Sequence, residues 1–404
     1  MTVMLQRADF PLFRLILVVL PAAAQVYLFL CARRAIRASR LPAAARRPAV
    51  VATGLAIAVL FFMNGYYLLG HLRWIDPPPA ARTFLFYVPA VWALGSVFSA
   101  LFLGLAHLAA GLAGKGRPRD AGGPGGAALS AQPADASRRR FLRTGVAGIA
   151  VAPFVLSGYG AAWGGWAYEV CEVSVPFGRR VRVVQLTDIH AGVYMTRREI
   201  RKYGRLAASL RPDLFVLTGD FISNSTAFLP ECLEEMAAVP ARYGTFAVLG
   251  NHERWYGVQR ELRAAFRKYA IPLLINAHAV VESDDGPFAV AGIDDLRNGH
   301  PRLDLALRGL PPSIPTLLLS HRPEIFPQAA ACGVPLTLAG HWHGGQIKIA
   351  LPGVTISPAH LRSPYPEGMY RIGESRLYVS RGVGTTFTPV RINAPPEVTV
   401  LNLS

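Results

Sequence analysis

Cysteine is scarce in this sequence, which has only four in 404 residues. They are Cys31, Cys171, Cys232 and Cys332, and they form neither a CxxC pair nor any other paired spacing. This scatter excludes a disulfide framework and a zinc–thiolate site. We therefore expect the four side chains to behave as small buried hydrophobic groups.

Acidic residues are scarce in the first part of the chain. Residues 1–167 contain four Asp and Glu against 17 Lys and Arg, whereas residues 168–404 contain 21 against 25. Most of the net charge of +17 therefore lies beside hydrophobic segments. Basic loops between such segments are typical of membrane topology, so we expect no nucleic-acid partner and expect a lipid bilayer.

Long apolar runs are abundant in that same part, and the whole chain has a mean hydropathy of +0.30. Residues 11–31, 49–69 and 84–112 each reach the roughly 20 residues that cross a bilayer as a helix. A weaker, Gly- and Ala-rich run covers residues 146–166. We expect three transmembrane helices in 1–113, a flexible basic linker in 114–145, and a fourth transmembrane or signal-like segment in 146–167.

The arginines predict the orientation of these helices. Six Arg and no acidic residue follow the first run, and a basic cluster, SRRRFLRTG, precedes the fourth. The positive-inside rule places both loops in the cytoplasm and the residues after 167 outside it. The cluster also resembles a twin-arginine export signal, and a simple cytoplasmic anchor is the alternative interpretation. Without a fourth span the predicted topology would invert.

From residue 181 onward, short β-type runs end in polar side chains that can bind metals. The runs are VRVVQLTDIH, LFVLTGD, GTFAVLGNHE, TLLLSHRPE and LTLAGHWHGG, and they end in Asp188 and His190, Asp220, Asn251 to Glu253, His321, and His341 and His343. Between the first two runs, RREIRKYGRLAASLRPD predicts an amphipathic helix. Ligand sites of open α/β sheets form at the carboxyl ends of strands, so we expect these side chains to converge.

Carboxylate, imidazole and amide oxygen together suit Mn²⁺, Fe²⁺ or Zn²⁺. Asp188 and His190 alternate along one strand end, so both reach one ion only where the chain leaves regular extension. Taken alone, the GHWHGGQ segment is also compatible with a surface loop that holds two histidines. The order of the five motifs and their shared strand-end position favour a metal site.

This constellation resembles the calcineurin-like metallophosphoesterase superfamily over residues 178–404. The motifs are Asp188-x-His190, Gly219-Asp220, Gly250-Asn251-His252-Glu253, His321 and Gly340-His341-x-His343. GHWHGGQIKI, the C-terminal LYVSRGVGTTFTPVRINAPPEVTVLNL and the membrane region resemble its bacterial membrane-associated branch of YkuE-like and YaeI-like enzymes. The resemblance implies a four-layer αββα sandwich over 168–404. Together with the predicted spans, it implies a multi-pass protein of the bacterial plasma membrane, and the positive-inside rule places the catalytic domain outside the cytoplasm.

The resemblance also implies a site with two divalent metal ions. One ion would be held by Asp188, His190, Asp220 and His343, and the other by Asp220, Asn251, His321 and His341. A metal-bridging hydroxide would attack a phosphodiester or pyrophosphate. His252 would act as general acid, and Glu253 would either orient His252 or serve as a structural carboxylate.

The implied substrate is a phosphoester, and a lipid or cell-envelope phosphoester is favoured. FISNS follows Asp220 without the second Asp and the Arg-Gly of protein serine/threonine phosphatases, so we do not expect a phosphoprotein substrate. Relatives act on UDP-diacylglucosamine or cell-wall material, and the first is cytoplasmic, which conflicts with the outward topology. Arg254 and Arg322 are candidates for binding the substrate phosphate, but solvated surface positions are the favoured interpretation of both.

The main alternative function is a membrane sensor or binding protein built on an inactive phosphoesterase domain. The complete set of ligands and the presence of the acid argue against it. An accessory domain of a transporter is a third interpretation. The first three spans lack charged residues at depth, which argues against a permeation path.

Overall fold

The computed structural model describes residues 2–68, 78–115, 134–164 and 167–404. These form two compact units, one made mainly of residues 7–69 and 78–159 and the other mainly of residues 160–404. The two units are described separately below.

The first unit is helical. Its helices are α1 (Thr2–Arg37), α2 (Ala43–Leu68), α3 (Pro79–Arg82), α4 (Val88–Lys115) and α5 (Ala134–Ala162), with a π-helical turn at Thr83–Tyr87 between α3 and α4. Four segments are long and apolar enough to cross a membrane: Val18–Arg37, Ala43–Asn64, Thr83–Ala109 and Thr144–Ala162. The prediction of about four such helices is therefore confirmed on length and composition.

Helix α5 begins at Ala134, inside the segment expected to be a flexible linker. The physical reason is local, because neither Gly nor Pro occurs between Ala134 and Thr144, and Ala, Arg and Leu favour helix there. The backbone of the arginine cluster thus belongs to this helix. Residues 116–133 of the expected linker and residues 165–166 of the fourth expected segment lie outside the described residues.

The second unit is a mixed α/β domain. Its strands are β1 (Glu169–Val175), β2 (Val181–Leu186), β3 (Leu214–Thr218), β4 (Thr245–Val248), β5 (Ala277–Ser283), β6 (Gly286–Gly292), β7 (Thr316–Leu319), β8 (Leu336–Ala339), β9 (Ile349–Leu351), β10 (Val354–Ile356), β11 (Gly368–Ile372), β12 (Ser375–Val379) and β13 (Glu397–Leu403). Its helices are α6 (Arg197–Ser209), α7 (Leu229–Ala237), α8 (Asn251–Tyr256), α9 (Gln259–Lys268), α10 (Leu303–Ala306) and α11 (Phe326–Ala331). Helix α6 confirms the helix expected between the first two metal motifs.

Two larger sheets organise the domain. The first has the order β1-β13-β2-β3-β4, with β2, β3 and β4 parallel and Val183 paired with Leu214. The second has the order β11-β12-β8-β7-β6-β5, with β6, β7, β8 and β12 parallel. A separate two-stranded ribbon pairs β9 with β10 in antiparallel fashion. The parallel strands of both sheets carry the expected ligand motifs.

Side-chain alternation builds the layers. Val183 and Leu319 lie in one core that combines residues of both sheets, so the sheets pack face to face. Val184, one residue further along β2, lies in another core with Leu233 of α7, which covers the outer face of the first sheet. Leu318 joins helix α11 in a third core. The helix–sheet–sheet–helix order confirms the expected αββα sandwich.

The cysteines match the expectation only in part. Cys232 on α7 is fully buried in the core beneath the first sheet. Cys332 is exposed, because it is the residue at which α11 ends and the chain turns. The expectation that all four are buried is therefore wrong.

Candidate metal centre

The expected ligands converge where parallel strands of the two sheets end. Asp188 and His190 follow β2, Asp220 follows β3, Asn251 follows β4, His321 follows β7, and His341 and His343 follow β8. Six of these seven side chains are buried, and His341 is half-buried. Burial of so many polar groups is costly unless they bind one another or a ligand.

The backbone at these positions is unusual. Five of the seven residues have positive φ: Asp188 (53°), His190 (52°), Asp220 (54°), His341 (76°) and His343 (51°). This conformation costs a residue with a β-carbon on the order of 1–2 kcal/mol, and such costs concentrate at functional sites. The expectation that the chain leaves regular extension at Asp188 and His190 is confirmed. This turn directs both side chains toward one centre.

Glycine permits the closest approach between the two sheets. A β-carbon on Gly340 would collide with the carboxylate of Asp188 and the hydroxyl of Thr187. The His341 backbone N–H, one residue further, donates to Asp188 Oδ2 at 3.0 Å. The glycine before the first histidine of GHWHGGQ therefore allows the two ligand loops to touch.

One group of ligand atoms surrounds the space between Asp188, His190 and His343. His190 Nε2 lies 3.1 Å from His343 Nε2. His343 Nε2 lies 3.4 Å from Asp188 Oδ1, and His190 Nε2 lies 3.6 Å from Asp220 Oδ2. These four residues are the set expected for one ion.

A second group lies around His321. Its Nε2 is 3.1 Å from Asn251 Oδ1, 3.1 Å from His341 Nδ1 and 3.3 Å from Asp220 Oδ2. These residues are the set expected for the other ion. Asp220 Oδ2 thus faces both groups, while Asp220 Oδ1 accepts the His252 backbone N–H at 2.9 Å.

These distances fit divalent metal ligation. Ligand atoms at about 2.0–2.2 Å from one ion are separated by roughly 3.0–3.5 Å from one another. Hydrogen bonding alone does not explain why imidazole nitrogens lie in pairs. Two unprotonated nitrogens each present a lone pair to the other, and a hydrogen bond forms between them only if one carries a proton. Burial lowers the pKa of His190 to about 3 and lowers the pKa of His343 well below its ordinary value. Neutral rings with free lone pairs are the form that binds metals.

The carboxylates supply the negative charge that a cation would neutralise. Burial, together with the nearby Asp220, raises the pKa of Asp188 to about 6, although His321 opposes the shift. Burial opposes charge on His321, yet Asp220 and the other carboxylates raise the pKa of His321 to about 10. Metal binding displaces protons from such ligands. The donor set therefore fits divalent cations.

His252 is placed differently from the ligands. Its Nδ1 contacts the carbonyl oxygen of Ser223, and its ring lies edge-on to His190 with 4.5 Å between ring centroids. Its Nε2 is 3.9 Å from Asp220 Oδ2, farther than His190 and His321. By geometry alone His252 also forms a possible ligand group with His190 and Asp220.

Glu253 fixes backbone. Its carboxylate accepts the N–H groups of Asp220 at 3.0 Å, Ile222 at 3.0 Å and Gly250 at 2.9 Å. It is fully buried, and burial raises its pKa to about 7. These bonds join the loops after β3 and β4, which corresponds to the structural role of the two expected alternatives.

Two arginines differ from the sequence interpretation. Arg322 is buried, donates to Asp295 Oδ2 at 2.9 Å and contacts His341 Nε2. Arg254 forms an ion pair with buried Asp294. The interpretation of both arginines as solvated surface residues is wrong. Each forms an ion pair with an acidic residue distant in sequence, and this pair keeps the side chain largely out of solvent.

Arg391 was not anticipated from the sequence. It is buried, and its guanidinium donates to the carbonyl oxygens of Arg381, Gly382, Gly384 and Ala394. Its Nη2 also lies 3.2 Å from His343 Nδ1, so it forms one wall behind that ligand. Its segment, VRINAPP, has no local signal for such a role.

Comparison with known proteins agrees with this geometry. The family model "Calcineurin-like phosphoesterase" matches residues 181–345. The chain is 31% identical over 289 residues to the uncharacterized metallophosphoesterase YkuE of Bacillus subtilis, covering 66% of this chain and 97% of the relative. It is 30% identical over 281 residues to phosphodiesterase YaeI of Escherichia coli, covering 66% and 99%.

A vertebrate protein is similar to this chain over a comparable length. The Bos taurus "Transmembrane protein with metallophosphoesterase domain" is 30% identical over 292 residues, covering 67% of this chain and 64% of the relative. The matched residues include all seven expected ligand positions within 181–345. The chain therefore belongs to the calcineurin-like metallophosphoesterase family and is a phosphoesterase with a His/Asp cluster suited to metal binding.

Proposed function

We propose that this protein hydrolyses a phosphodiester or pyrophosphate at a centre that holds two divalent metal ions. One observation carries the proposal. Asp220 Oδ2 lies 3.6 Å from His190 Nε2 in one ligand group and 3.3 Å from His321 Nε2 in the other. A carboxylate oxygen placed between two such groups would be shared by both ions.

The two groups of side chains have distinct tasks. Asp188, His190, Asp220 and His343 would hold one ion, and Asp220, Asn251, His321 and His341 would hold the other. When bound, two divalent cations activate water for in-line attack and neutralise charge on the phosphoryl oxygens. The mixture of nitrogen and oxygen donors favours Mn²⁺, Fe²⁺ or Zn²⁺. Glu253 keeps the Asp220 loop in place through its backbone bonds.

His252 is the proposed proton donor to the leaving oxygen. The Ser223 carbonyl engages Nδ1, so Nε2 is the atom free to exchange a proton with substrate. Burial lowers the pKa of His252, although Asp220 opposes that effect. A bound phosphate anion raises the pKa of a neighbouring imidazole, so substrate itself favours the protonated form.

The proposed substrate is a lipid or cell-envelope phosphoester in the bacterial plasma membrane, with the catalytic domain outside the cytoplasm. Four candidate spans and the arginine-rich loops between them support this location. The relative named phosphodiesterase YaeI supports a diester over a monoester. The FISNS segment after Asp220 supports a substrate other than a phosphoprotein.

The test uses the full-length protein in detergent, loaded separately with Mn²⁺, Fe²⁺ and Zn²⁺. An aryl phosphodiester, an aryl phosphomonoester and UDP-diacylglucosamine are assayed in parallel. Asp220→Asn should abolish turnover, and His252→Ala should reduce it, by about 10²- to 10⁴-fold for a poor leaving group and by less for an aryl one. Asp284→Asn is the matched control, because the Asp284 side chain is 68% exposed.

Each outcome has a defined meaning. Turnover of the diester above the monoester, abolished in Asp220→Asn and kept in Asp284→Asn, supports the proposed reaction. Hydrolysis of UDP-diacylglucosamine above all others would move the proposed substrate to the cytoplasmic side. No turnover by folded, metal-loaded protein would favour the sensor or binding function.

A further inference from the structure

The ribbon of β9 and β10 has one wholly aliphatic face. Its register pairs Leu351 with Val354 and Ile349 with Ile356, and directly paired residues point to the same side. These four side chains are 56%, 53%, 53% and 42% exposed. The third pair, Ala350 with Thr355, points to the other side. We call residues 349–356 the apolar ribbon.

The exposed hydrophobic residues of the second unit concentrate in this region. Eleven large hydrophobic residues between 168 and 404 are exposed, and seven of them lie between Ile349 and Ile372. Leu361, five residues after the ribbon, is 78% exposed. A two-stranded ribbon gains little stability from such side chains in water. A contiguous exposed patch of this kind marks a surface that contacts another apolar phase.

The root of the ribbon is tied to the metal centre. Ile349 comes six residues after His343, so the chain between them spans at most about 20 Å. On that stretch, the Lys348 N–H donates to the Ile392 carbonyl at 2.9 Å, and the Ile392 N–H donates to Gln346 at 2.9 Å. Any surface that receives the ribbon therefore lies close to the proposed site of hydrolysis.

Charge around the ribbon suits an anionic surface. Residues 349–366 contain Arg362 but no Asp or Glu, whereas Lys348 before the ribbon is paired with Glu367, with 2.6 Å between Nζ and Oε1. Arg362 is exposed beside Leu361. Basic residues next to inserted aliphatic side chains are typical of segments that bind the interface of lipid membranes.

A protein partner or a second copy of this chain fits the ribbon less well. Stable protein interfaces use roughly 20–30 residues from each side and are anchored by Trp, Tyr or Arg. The ribbon face offers four aliphatic side chains without any aromatic or hydrogen-bonding group. A fluid hydrocarbon layer requires neither a complementary shape nor directional contacts, and binding to it grows with the apolar area inserted. The chain also carries four segments suited to a membrane, so a bilayer lies within its reach.

We infer that the apolar ribbon inserts into the interface of an anionic lipid bilayer and holds the metal centre against the lipid surface. This inference rests on the proposed function in one respect. Insertion of the apolar ribbon would bring a lipid-linked phosphoester to the proposed site of hydrolysis. It assigns the ribbon to substrate access and leaves hydrolysis to the metal ligands. Ribbon variants should therefore keep full activity on a soluble diester.

The direct test measures insertion without any activity. Leu351→Cys and the control Val280→Cys are made in a Cys332→Ser parent, which removes the exposed native cysteine. Val280 lies on β5, is 46% exposed, and is far from the ribbon in sequence. The full-length proteins are labelled with bimane and reconstituted with phosphatidylglycerol lipids that carry a nitroxide on the acyl chain. The unsubstituted parent gives the labelling background.

Insertion predicts strong quenching at Leu351, greatest for nitroxides near the headgroup, and background quenching at Val280. Equal quenching at the two positions would overturn the inference. If an added protein, but not nitroxide lipid, quenched the bimane fluorescence at Leu351, the result would also overturn the inference. That result would favour a protein partner.

A kinetic test connects insertion to substrate access. The double variant Leu351→Ser with Val354→Ser is compared with Val280→Ser on a soluble aryl phosphodiester and on an aryl phosphodiester of a long-chain lipid in nanodiscs. We expect unchanged kinetics on the soluble diester and a KM raised by roughly tenfold or more on the lipid substrate. An equal KM for both variants on the lipid substrate would contradict the assignment to access.

The two proposals can fail separately. Position-specific quenching without turnover of any diester would refute the proposed function and leave membrane insertion intact. Normal turnover with equal quenching at Leu351 and Val280 would refute insertion and leave the proposed function intact.

Discussion

Replacement of Arg391 by Met gives a sharp prediction, because it keeps an apolar stem and removes every donor. Four carbonyl oxygens, those of Arg381, Gly382, Gly384 and Ala394, would lose the guanidinium. At about 1–1.5 kcal/mol for each lost bond, the unfolding free energy should fall by roughly 4–6 kcal/mol. That is a large part of the 5–15 kcal/mol typical of a domain.

The same change should loosen the metal centre. Arg391 Nη2 lies 3.2 Å from His343 Nδ1, so the His343 ring would lose a contact that holds it in place. Loss of groups that support a ligand typically weakens metal affinity by about 10- to 100-fold. Removal of a buried cation does not offset the lost donors, since the Gly382 carbonyl keeps the Glu397 N–H but the other three carbonyl oxygens lose a buried donor.

Thermal unfolding of the full-length protein in detergent, followed by intrinsic fluorescence, measures the first effect. For a domain of this size, the expected loss lowers the melting temperature by roughly 10–20 °C. Arg308→Met is the matched control, because Arg308 is an exposed arginine of the same domain. If Arg391→Met melts together with Arg308→Met and keeps the same metal affinity, the role assigned to Arg391 is wrong.

Three further changes test other parts of the structure. Gly340→Ala should reduce bound metal strongly, as measured by metal analysis, because its β-carbon would displace Asp188. His252→Ala should slow alkyl phosphodiesters much more than nitrophenyl diesters, because a good leaving group needs no proton; equal slowing of both would rule out a general acid. Two arginines lower the pKa of Glu235 to about 2 from 4.5, so its stabilisation is present above pH 4.5 and is lost as the pH falls toward 2. Glu235→Gln should therefore show a weaker acid dependence of its melting temperature over that range.

The sequence was sufficient where the ligands follow buried strands. Asp220 comes directly after β3, a strand buried along its whole length, and His321 follows β7 in the same way. Apolar β-type runs predict such strands, and parallel order brings their ends together. The convergence of the ligands at strand ends could be anticipated for this reason, whereas the four-layer sandwich and the division into two ligand groups were implied by the family resemblance.

The residues that support the ligands were not predictable in the same way. Arg391 and Arg322 acquire their roles through carbonyl and carboxylate partners that only the tertiary fold brings close. An arginine in a polar segment is ordinarily solvated, and no local pattern marks the exceptions. The role of Glu253 also depended on structure, since its three partners are backbone N–H groups of two different loops.

The apolar ribbon was visible in the sequence only as part of IKIALPGVTI. Alternating aliphatic residues around Pro352-Gly353 predict a hairpin, but the same pattern suits a strand pair that packs into a core. Its exposure depends on where the remaining strands leave room, and the sequence does not encode that choice locally. Only the structure shows that the aliphatic side chains of the apolar ribbon are exposed instead of packed into a core.

Metal stoichiometry tests the central proposal most directly. The full-length protein and its variants are purified in detergent, exposed to Mn²⁺, Fe²⁺ or Zn²⁺, dialysed, and analysed by inductively coupled plasma mass spectrometry. A shared Asp220 predicts about two ions per chain, with both lost in Asp220→Asn and both kept in Asp284→Asn. One ion per chain in the unaltered protein, or two ions retained by Asp220→Asn, would contradict the proposed two-metal centre.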